Sequence, residues 1–544
     1  MDKIIKNERK TDYCTLYSGS ITVFLTILFL LFFSLIGVAF ENARVLSSAG
    51  YIRTAAHSAA MTVFGAYNRE LYQDYGFFAY GGSDGKGADD LAKEFTDILI
   101  DNVRDMPHGT QRSYGSLYRF QNIEGAVSEA GVLTDRDIFT AQVEAYLKSA
   151  AVQDLTQEIT NKVSGEAGSG NIKENLVLTK EYEEGKFDIP KEQGAVGEKP
   201  LSKGGALEQD TAKGNPLEVF KAMMRDGILN MVCDVRKLSD GIIVPLANFG
   251  DVSDDSFMGK QDKIGAADYL MGLMEENEVK EHPSANDRED GTTIKKGADK
   301  LKYICYASKQ FSDYTEDRKR TTKYGIEYLI AGKREEKDNL ASVVNKILGI
   351  RLLLNFGCIL SNKTLQEKSF ITATILAGFT GMPPVIRAVQ YTILLILAFE
   401  EACVDVTALL EGRYVPVIKK ARDIKMKYEE MCIASRRLFA SKAKAYSGSG
   451  RTTAADISYQ QYLWLFLLGK TEGKIRTRCY SLIQYDLREK YNQSFVIQSC
   501  ICRSKYKVCY QLPFLFGHLP FLDREGLGNT NLGELEVFYE YKSG

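Results

Sequence analysis

Glu401 and Asp405 stand four residues apart in a segment of helical character, which sets two carboxylates on one helical face. Paired acids at that spacing suit general acid–base work or metal ligation. The same spacing is common on a solvated helix face, and the basic Arg413, Lys419 and Lys420 follow closely enough to pair with both acids. The ionic reading is preferred. Ten cysteines form the second chemically interesting set. Cys233, Cys305, Cys358, Cys403 and Cys432 lie singly in hydrophobic surroundings and read as small buried hydrophobes. Cys500, Cys502 and Cys509 fall in two strand-like runs, Ser494 to Cys502 and Tyr506 to Leu512, joined by Arg503-Ser504-Lys505. A hairpin there would bring Cys500 or Cys502 opposite Cys509. His57, His108, His282 and His518 are too scattered for a zinc centre by spacing, and no Cys-x-x-Cys occurs. Gly81-Gly82 reads as a turn, because neither a Gly-x-Gly-x-x-Gly nor a Walker pattern is present. The sequence therefore assigns no catalytic, cofactor-binding or metal-ligating residue, and no cofactor.

The elements that would position these groups begin with a membrane segment. Ile21 to Phe40 is an uncharged run containing five phenylalanines and ten Ile, Leu or Val residues. A helix of that length spans the roughly 30 Å hydrocarbon core of a bilayer. The run exceeds the usual apolar stretch of a cleaved signal, although Ser47 and Ala49 supply a small-x-small pattern that keeps cleavage open. A buried core helix would not need bulky apolar groups on every face. Lys3, Lys6, Arg9 and Lys10 precede the run, and only Arg44 and Arg53 follow it closely. That bias predicts residues 1–20 as a cytoplasmic tail, 21–40 as the anchor and the bulk of the chain outside, with Lys3 inside and Gly412 outside.

Beyond the anchor, Glu41 to Tyr72 lacks proline and repeats apolar groups at Tyr51, Ala55, Ala59, Val63 and Tyr67, so the membrane helix is expected to continue as a rod. Phe77, Phe78 and Tyr80 suggest a short strand, Ala92 to Arg104 a helix and Asp135 to Lys162 another. Residues 41–164 make the first part of the extracytoplasmic domain. Residues 165–216, rich in Gly, Lys and Glu without apolar period, read as a flexible insertion, and Glu275 to Lys300 is a second polar stretch. Residues 217–544 supply the rest of the core. Its densest hydrophobic signal is three helices, Ile347 to Leu360 interrupted by Arg351 and Asn355, Ile371 to Phe379, and Val385 to Leu410. Arg387, Glu400, Glu401 and Asp405 would be costly in lipid, which favours stacked core helices and leaves added membrane contact open. Tyr459 to Leu468 and Cys479 to Lys490 read as helices, whereas Ser494 to Leu512 and Glu534 to Lys542 alternate with period two. The predicted class is α+β, with packed helices and a C-terminal antiparallel sheet.

With 544 residues and 44% hydrophobic content the chain has ample core, and its net charge of −2 argues against general nucleic-acid binding. The partners expected are the lipid bilayer, through residues 21–40, and other membrane or envelope proteins. Thr22, Thr26, Ser34 and Gly37 interrupt the bulky groups of the anchor and permit close approach of another membrane helix.

A family resemblance rests on Gly19-Ser20-Ile21-Thr22-Val23-Phe24-Leu25, Glu41-Asn42-Ala43-Arg44-Val45 and Glu70-Leu71 to Tyr75-Gly76-Phe77-Phe78. It extends through Ala377 to Lys419, with its Gly-Phe-Thr-Gly, Pro-Pro, Glu401-Ala402, Asp405 and Val415-Pro416, and through Tyr459 to Leu468 and Leu512-Pro513-Phe514. These segments resemble the uncharacterised DUF5702 family of bacterial envelope proteins, nearly end to end apart from the 165–216 insertion. The anchor and long helix are also similar to TadE/TadG-like proteins of tight-adherence pilus assembly. The family defines no catalytic residue to carry over. A prepilin carries Glu at the fifth position after the glycine, where this chain has Phe24 after Gly19. That departure suits an accessory subunit, and a rod-like helix fused to a large domain without a recognisable site predicts a membrane-anchored extracytoplasmic structural or assembly component of a pilus-like or secretion apparatus, the alternatives being a cell-wall or partner-protein binding module and an envelope enzyme.

Overall fold

The structure is a computed structural model. It describes residues 14–83, 86–104, 118, 120–149, 216–243, 291–446, 456–515 and 530–541. Two compact units divide the chain, one of Met1–Ile138 with Ser494–Lys542 and one of Phe139–Gln493 with Ser543–Gly544. Mixed helices and a C-terminal antiparallel sheet make the fold α+β.

The first unit is built on α1, an unbroken helix Cys14–Gly65 of 52 residues, or about 78 Å at the usual rise. No proline interrupts it, and it is long and apolar enough to cross a membrane. Its bulky side chains from Ile21 to Phe40 are exposed, as those of a helix compatible with membrane anchoring would be. From Arg44 onward burial recurs at Ser48, Ile52, Ala55, Ala56, Ala59, Ala60, Val63 and Phe64, a three-to-four spacing that gives the helix one core face. Small alanines there let α3 (Ala88–Arg104) lie close, with its Leu91, Phe95 and Leu99 in the same core. The expected rod to Tyr72 is shorter than foreseen. After Gly65 the chain turns, and Asn68 starts α2 (Arg69–Tyr75) by accepting the Leu71 N–H at 2.9 Å. Its own backbone N–H bonds the Ala79 carbonyl at 2.8 Å, so pinning this turn to the strand β1 (Tyr80–Gly81) competes with helix continuation.

The sheet is centred on β3 (Cys500–Pro513), which pairs with β2 (Gln121–Val132), with β4 (Thr530–Glu540) and, at its first two residues Cys500 and Ile501, with β1. All pairs are antiparallel. Two predicted strand runs joined by Arg503-Ser504-Lys505 are therefore corrected to one continuous strand. Cys500 and Cys509 lie roughly 30 Å apart along an extended strand, far beyond disulfide reach. The pairing of Cys500 or Cys502 with Cys509 is overturned, and the nine cysteines described, these three among them, are free. Gly533 lies opposite Tyr510, where an added Cβ would meet the phenol ring at 2.2 Å, so glycine makes room for the aromatic ring. At the end of the folded face nearest the apolar run, Arg44 reaches the Pro513 carbonyl while Glu41 pairs with Arg44 and accepts the Leu515 N–H. That contact fastens the end of the central strand to α1 directly beyond the apolar run.

The second unit is helical. Its long elements include α4 (Arg136–Ser149), which enters from the first unit, α5 (Pro216–Asp226), α6 (Ile228–Val232), α7 (Gly291–Gln310) and α8 (Gly325–Ala331). The three predicted apolar helices correspond to α9 (Glu336–Leu360), α10 (Lys363–Ala377) and α11 (Pro383–Leu410). The order closes with α12 (Arg436–Ala443), α13 (Tyr459–Leu468) and α14 (Glu472–Lys490). The 165–216 insertion lies outside the described residues except for Pro216, as does Asp135 to Lys162 beyond Ser149. The polar stretch at Glu275–Lys300 is helical from Gly291.

Two internal clamps order this unit. α10 and α11 form a helical hairpin in which the small Ser369, Ala373 and Ala377 are buried, and the Gln390 side chain donates to the Gln366 carbonyl at 2.9 Å. Arg478 of α14, fully buried, donates to the carbonyls of Leu329 and Ile330 at 2.8 and 3.1 Å, satisfying the end of α8. Gly332 follows in the left-handed region at φ 73°, where a Cβ would strike the guanidinium of Arg478.

Candidate functional site: a buried charge cluster

Glu401 and Asp405 point into the protein. Both are fully buried, because α11 is enclosed on all sides from Ile393 to Leu410 apart from Leu395. The expectation of a solvated helix face is thereby corrected. Their partners come from a second helix and from the chain just beyond α11. Arg351 and Asn355 are four apart on α9, as Glu401 and Asp405 are on α11, so two packed helices each present a pair of polar groups at one level.

Asp405 is saturated. Its Oδ2 accepts from Arg351 Nε and Nη2 at 2.9 and 2.8 Å and from Asn355 Nδ2 at 2.9 Å. Its Oδ1 accepts from Lys419 Nζ and from the Tyr446 hydroxyl at 2.7 Å. Glu401 bonds the same Lys419 ammonium and accepts the backbone N–H groups of Lys425 and Met426 at 3.0 and 2.7 Å. Arg351 Nη1 spends its remaining donors on the carbonyls of Pro416 and Val417 at 2.8 and 3.0 Å. Two cations and two carboxylates thus balance in a fully buried site. Burial opposes the charge on Asp405, but the Arg351 and Lys419 charges outweigh it and hold its pKa at about 2. Burial and the carboxylates push the Tyr446 phenol far above its ordinary range.

Such a cluster ties the irregular segment after α11 to the helices beneath it. Both Asp405 oxygens and both Glu401 oxygens already accept hydrogen bonds, which leaves them poorly suited to bind substrate or take up a proton. Of the three bases expected near the acids, Lys419 is the partner. Arg413 bonds Glu411 and the Tyr446 carbonyl, and the Lys420 backbone N–H bonds Asp423. Sequence reasoning missed Arg351 as the principal cation. The signal was present, since Arg351 and Asn355 break an apolar helix at the same four-residue spacing as the two acids.

Three other acids, Glu327, Asp313 and Glu400, are buried in the same unit. Glu327, on α8, accepts the Tyr314 N–H at 2.9 Å and the Tyr459 hydroxyl at 2.7 Å through Oε1, while its Oε2 has no partner among the described residues. Burial and nearby Asp313 raise its pKa to about 8. Asp313, also raised by burial, takes N–H groups from Thr315 and Glu316 and borders a cavity of about 150 Å³ with Ser308, Arg318, Gln460 and Trp464. Glu327 does not line that cavity. Glu400, on α11, is fully buried and has no hydrogen-bond partner among the described residues, and burial alone lifts its pKa to about 9. No pattern in the sequence distinguishes these positions from surface acids.

Among the described residues, no group of three His, Cys, Asp or Glu side chains is placed to hold a metal ion. His57 is exposed on α1, and the other three histidines lie outside the described residues. Of the five solitary cysteines, Cys233, Cys305 and Cys403 are buried and Cys358 and Cys432 are half-buried. Residues 206–512, more than half of the chain, match a family described as a family of unknown function, DUF5702. No curated protein and no solved structure matches.

Proposed function

Given that the chain belongs to DUF5702, a family of unknown function, we propose from its own architecture that it is a membrane-anchored structural or assembly component working on the extracytoplasmic side. One observation carries this reading: a single helix bears both an exposed apolar run and the core stripe of a folded unit. Movement or docking of the anchor is thereby transmitted to the sheet without a hinge. The saturated state of the Glu401–Asp405 cluster supports a structural role over a chemical one. The partners are other membrane or envelope proteins, a pilus-like or secretion assembly being the kind of apparatus such a rod would serve.

Topology is the direct test. Arg422 is 80% exposed, so a cysteine there should react in intact cells with a reagent that does not cross membranes. Labelling only after lysis would sink the extracytoplasmic placement. For the assembly role, a photo-crosslinker at the exposed Met61, on the outer half of α1, should capture a different membrane protein in discrete complexes. Long homopolymeric ladders, or a chain that is monomeric under all conditions, would contradict an accessory subunit.

A further inference from the structure

The end of the α10–α11 hairpin exposes apolar groups on both helices and the turn between them. Ile371 and Ile375 are 61% and 70% exposed, Phe379 is 88% and Met382 60%, with Phe370 and Val385 exposed beside them. From Ser369 to Phe399 the only charged residue is Arg387. An apolar surface of this kind asks for a cover, and the polar atoms around it indicate which.

The tip is prepared for a medium without water. In lipid, every backbone polar group and hydroxyl needs an internal partner. Thr372, Thr374 and Thr380 direct their hydroxyls to the carbonyls of Lys368, Phe370 and Ala377 at 3.1, 2.8 and 2.7 Å. The start of α11 would ordinarily present several unbonded N–H groups. Here Pro383 and Pro384 have none, the Val385 and Ile386 N–H groups bond the Met382 carbonyl, and those of Gly381 and Met382 bond the Gly378 carbonyl and the Thr380 hydroxyl. The N–H groups of this turn are thus bonded within it, as entry into a lipid surface requires. The charge is also suitably placed. Arg387 lies one turn along α11, about 6 Å from its first residue, with its guanidinium over the Phe370 ring at 5.2 Å. An arginine at that height meets phosphate headgroups when the residues below it enter the acyl boundary, a depth of roughly 5–10 Å.

We propose that the α10–α11 tip, centred on Phe379, inserts shallowly into the surface of a lipid bilayer, a second membrane contact of this chain besides the anchor. The contact rests on the reading of Ile21–Phe40 as a membrane anchor, which keeps the tip at high local lipid concentration. It is interfacial, because the uncharged tip is too short to span and the hairpin returns to the core at Ile393.

The test uses the full chain reconstituted in vesicles of phosphatidylcholine and phosphatidylglycerol. The native protein has a single tryptophan, Trp464, whose indole bonds Ser308, and it serves as the internal control. Phe379→Trp, and separately Ile375→Trp, add a second indole at the tip. Lipids brominated near the headgroup end of the acyl chain should quench more than half of the added emission and leave that of Trp464 largely intact. Added emission that resists brominated lipid but is quenched by aqueous iodide overturns the proposal. Protection from both quenchers also overturns it, since the tip is then covered by protein. Co-flotation with the vesicles separates the two readings. A floating chain without bromine quenching loses only the tip contact, and a chain that fails to float loses the anchor and the contact together.

Discussion

Exchanging Asp405 for asparagine should destabilise the helical unit by about 3–5 kcal/mol, the usual cost of breaking a buried ion pair from one side. Arg351 and Lys419 would remain buried with a single carboxylate, Glu401, between them. The amide of Asn would also place a donor against Arg351 and Lys419, neither of which can accept a hydrogen bond. Trp464 lies in α13 and reports unfolding of this unit. Pairing D405N with Arg351→Met should recover part of the loss, and a cycle of the single and double variants measures the coupling. The pH dependence gives an independent reading. The folded pKa of about 2 lies below the ordinary 3.8, so the stabilisation from Asp405 is present above about pH 4 and is lost as pH falls toward 2. That linkage amounts to about 2 kcal/mol in the native chain and vanishes in D405N. It is smaller than the cost of the substitution because the hydroxyl oxygen of a protonated carboxyl can still accept a hydrogen bond, which the amide nitrogen of Asn cannot. A variant within 1 kcal/mol of the native protein would show that the cluster does not hold the segment down.

Replacing Glu400 by glutamine should do the reverse. With a folded pKa of about 9 against an ordinary 4.5, Glu400 is protonated in the folded protein at neutral pH and ionised in the unfolded chain. A carboxyl with a raised folded pKa contributes stability fully below the unfolded value, and loses it as pH climbs through the folded one. At pH 8 the deficit relative to acid reaches about 5 kcal/mol, against about 1 kcal/mol at pH 5, and E400Q should remove most of it. Glu327→Gln should act in the same direction by a smaller amount, because its folded pKa is about 8 and two donors already serve its Oε1. Equal slopes of stability against pH for E400Q and the native chain would refute the assignment of Glu400 as a neutral buried acid.

Helices with strong apolar patterns were legible in the sequence. Tyr459–Leu468 is bounded as foreseen, with Ser458 accepting the Gln461 N–H in a capping box, and the three helices between 336 and 410 follow their apolar runs. β2 was not legible. Its sequence, QNIEGAVSEAGV, is rich in Gly, Ala, Ser and Glu, and it owes its extended form to pairing with β3. The central strand was divided in two because Arg503-Ser504-Lys505 reads as a polar turn. In the sheet Arg503 and Lys505 face outward between Glu129, Glu536 and Glu540, while Ser504 takes the buried side. The charge cluster was half legible. The spacing of Glu401 and Asp405 gave their shared face, but which face is buried depends on α9 and on the chain after α11, and local pattern carries no information about either.

The central strand of the first unit has a consequence for how the protein is made. Asn122 bonds Gln511 across 389 residues, and β3 supplies the middle of the sheet that covers α1. At the usual 5–20 residues per second, the ribosome needs roughly 20–80 s to travel from β2 to β3. During that interval α1 has been synthesised while its alanine-lined face still lacks its sheet, and the helical unit has all the residues it needs to fold first. The customary order, N-terminal unit before C-terminal unit, is inverted. Any chain that stops short of residue 500 would carry the whole of α1 with its Ile52–Phe64 face uncovered, an apolar surface that distinguishes an unfinished molecule from a finished one.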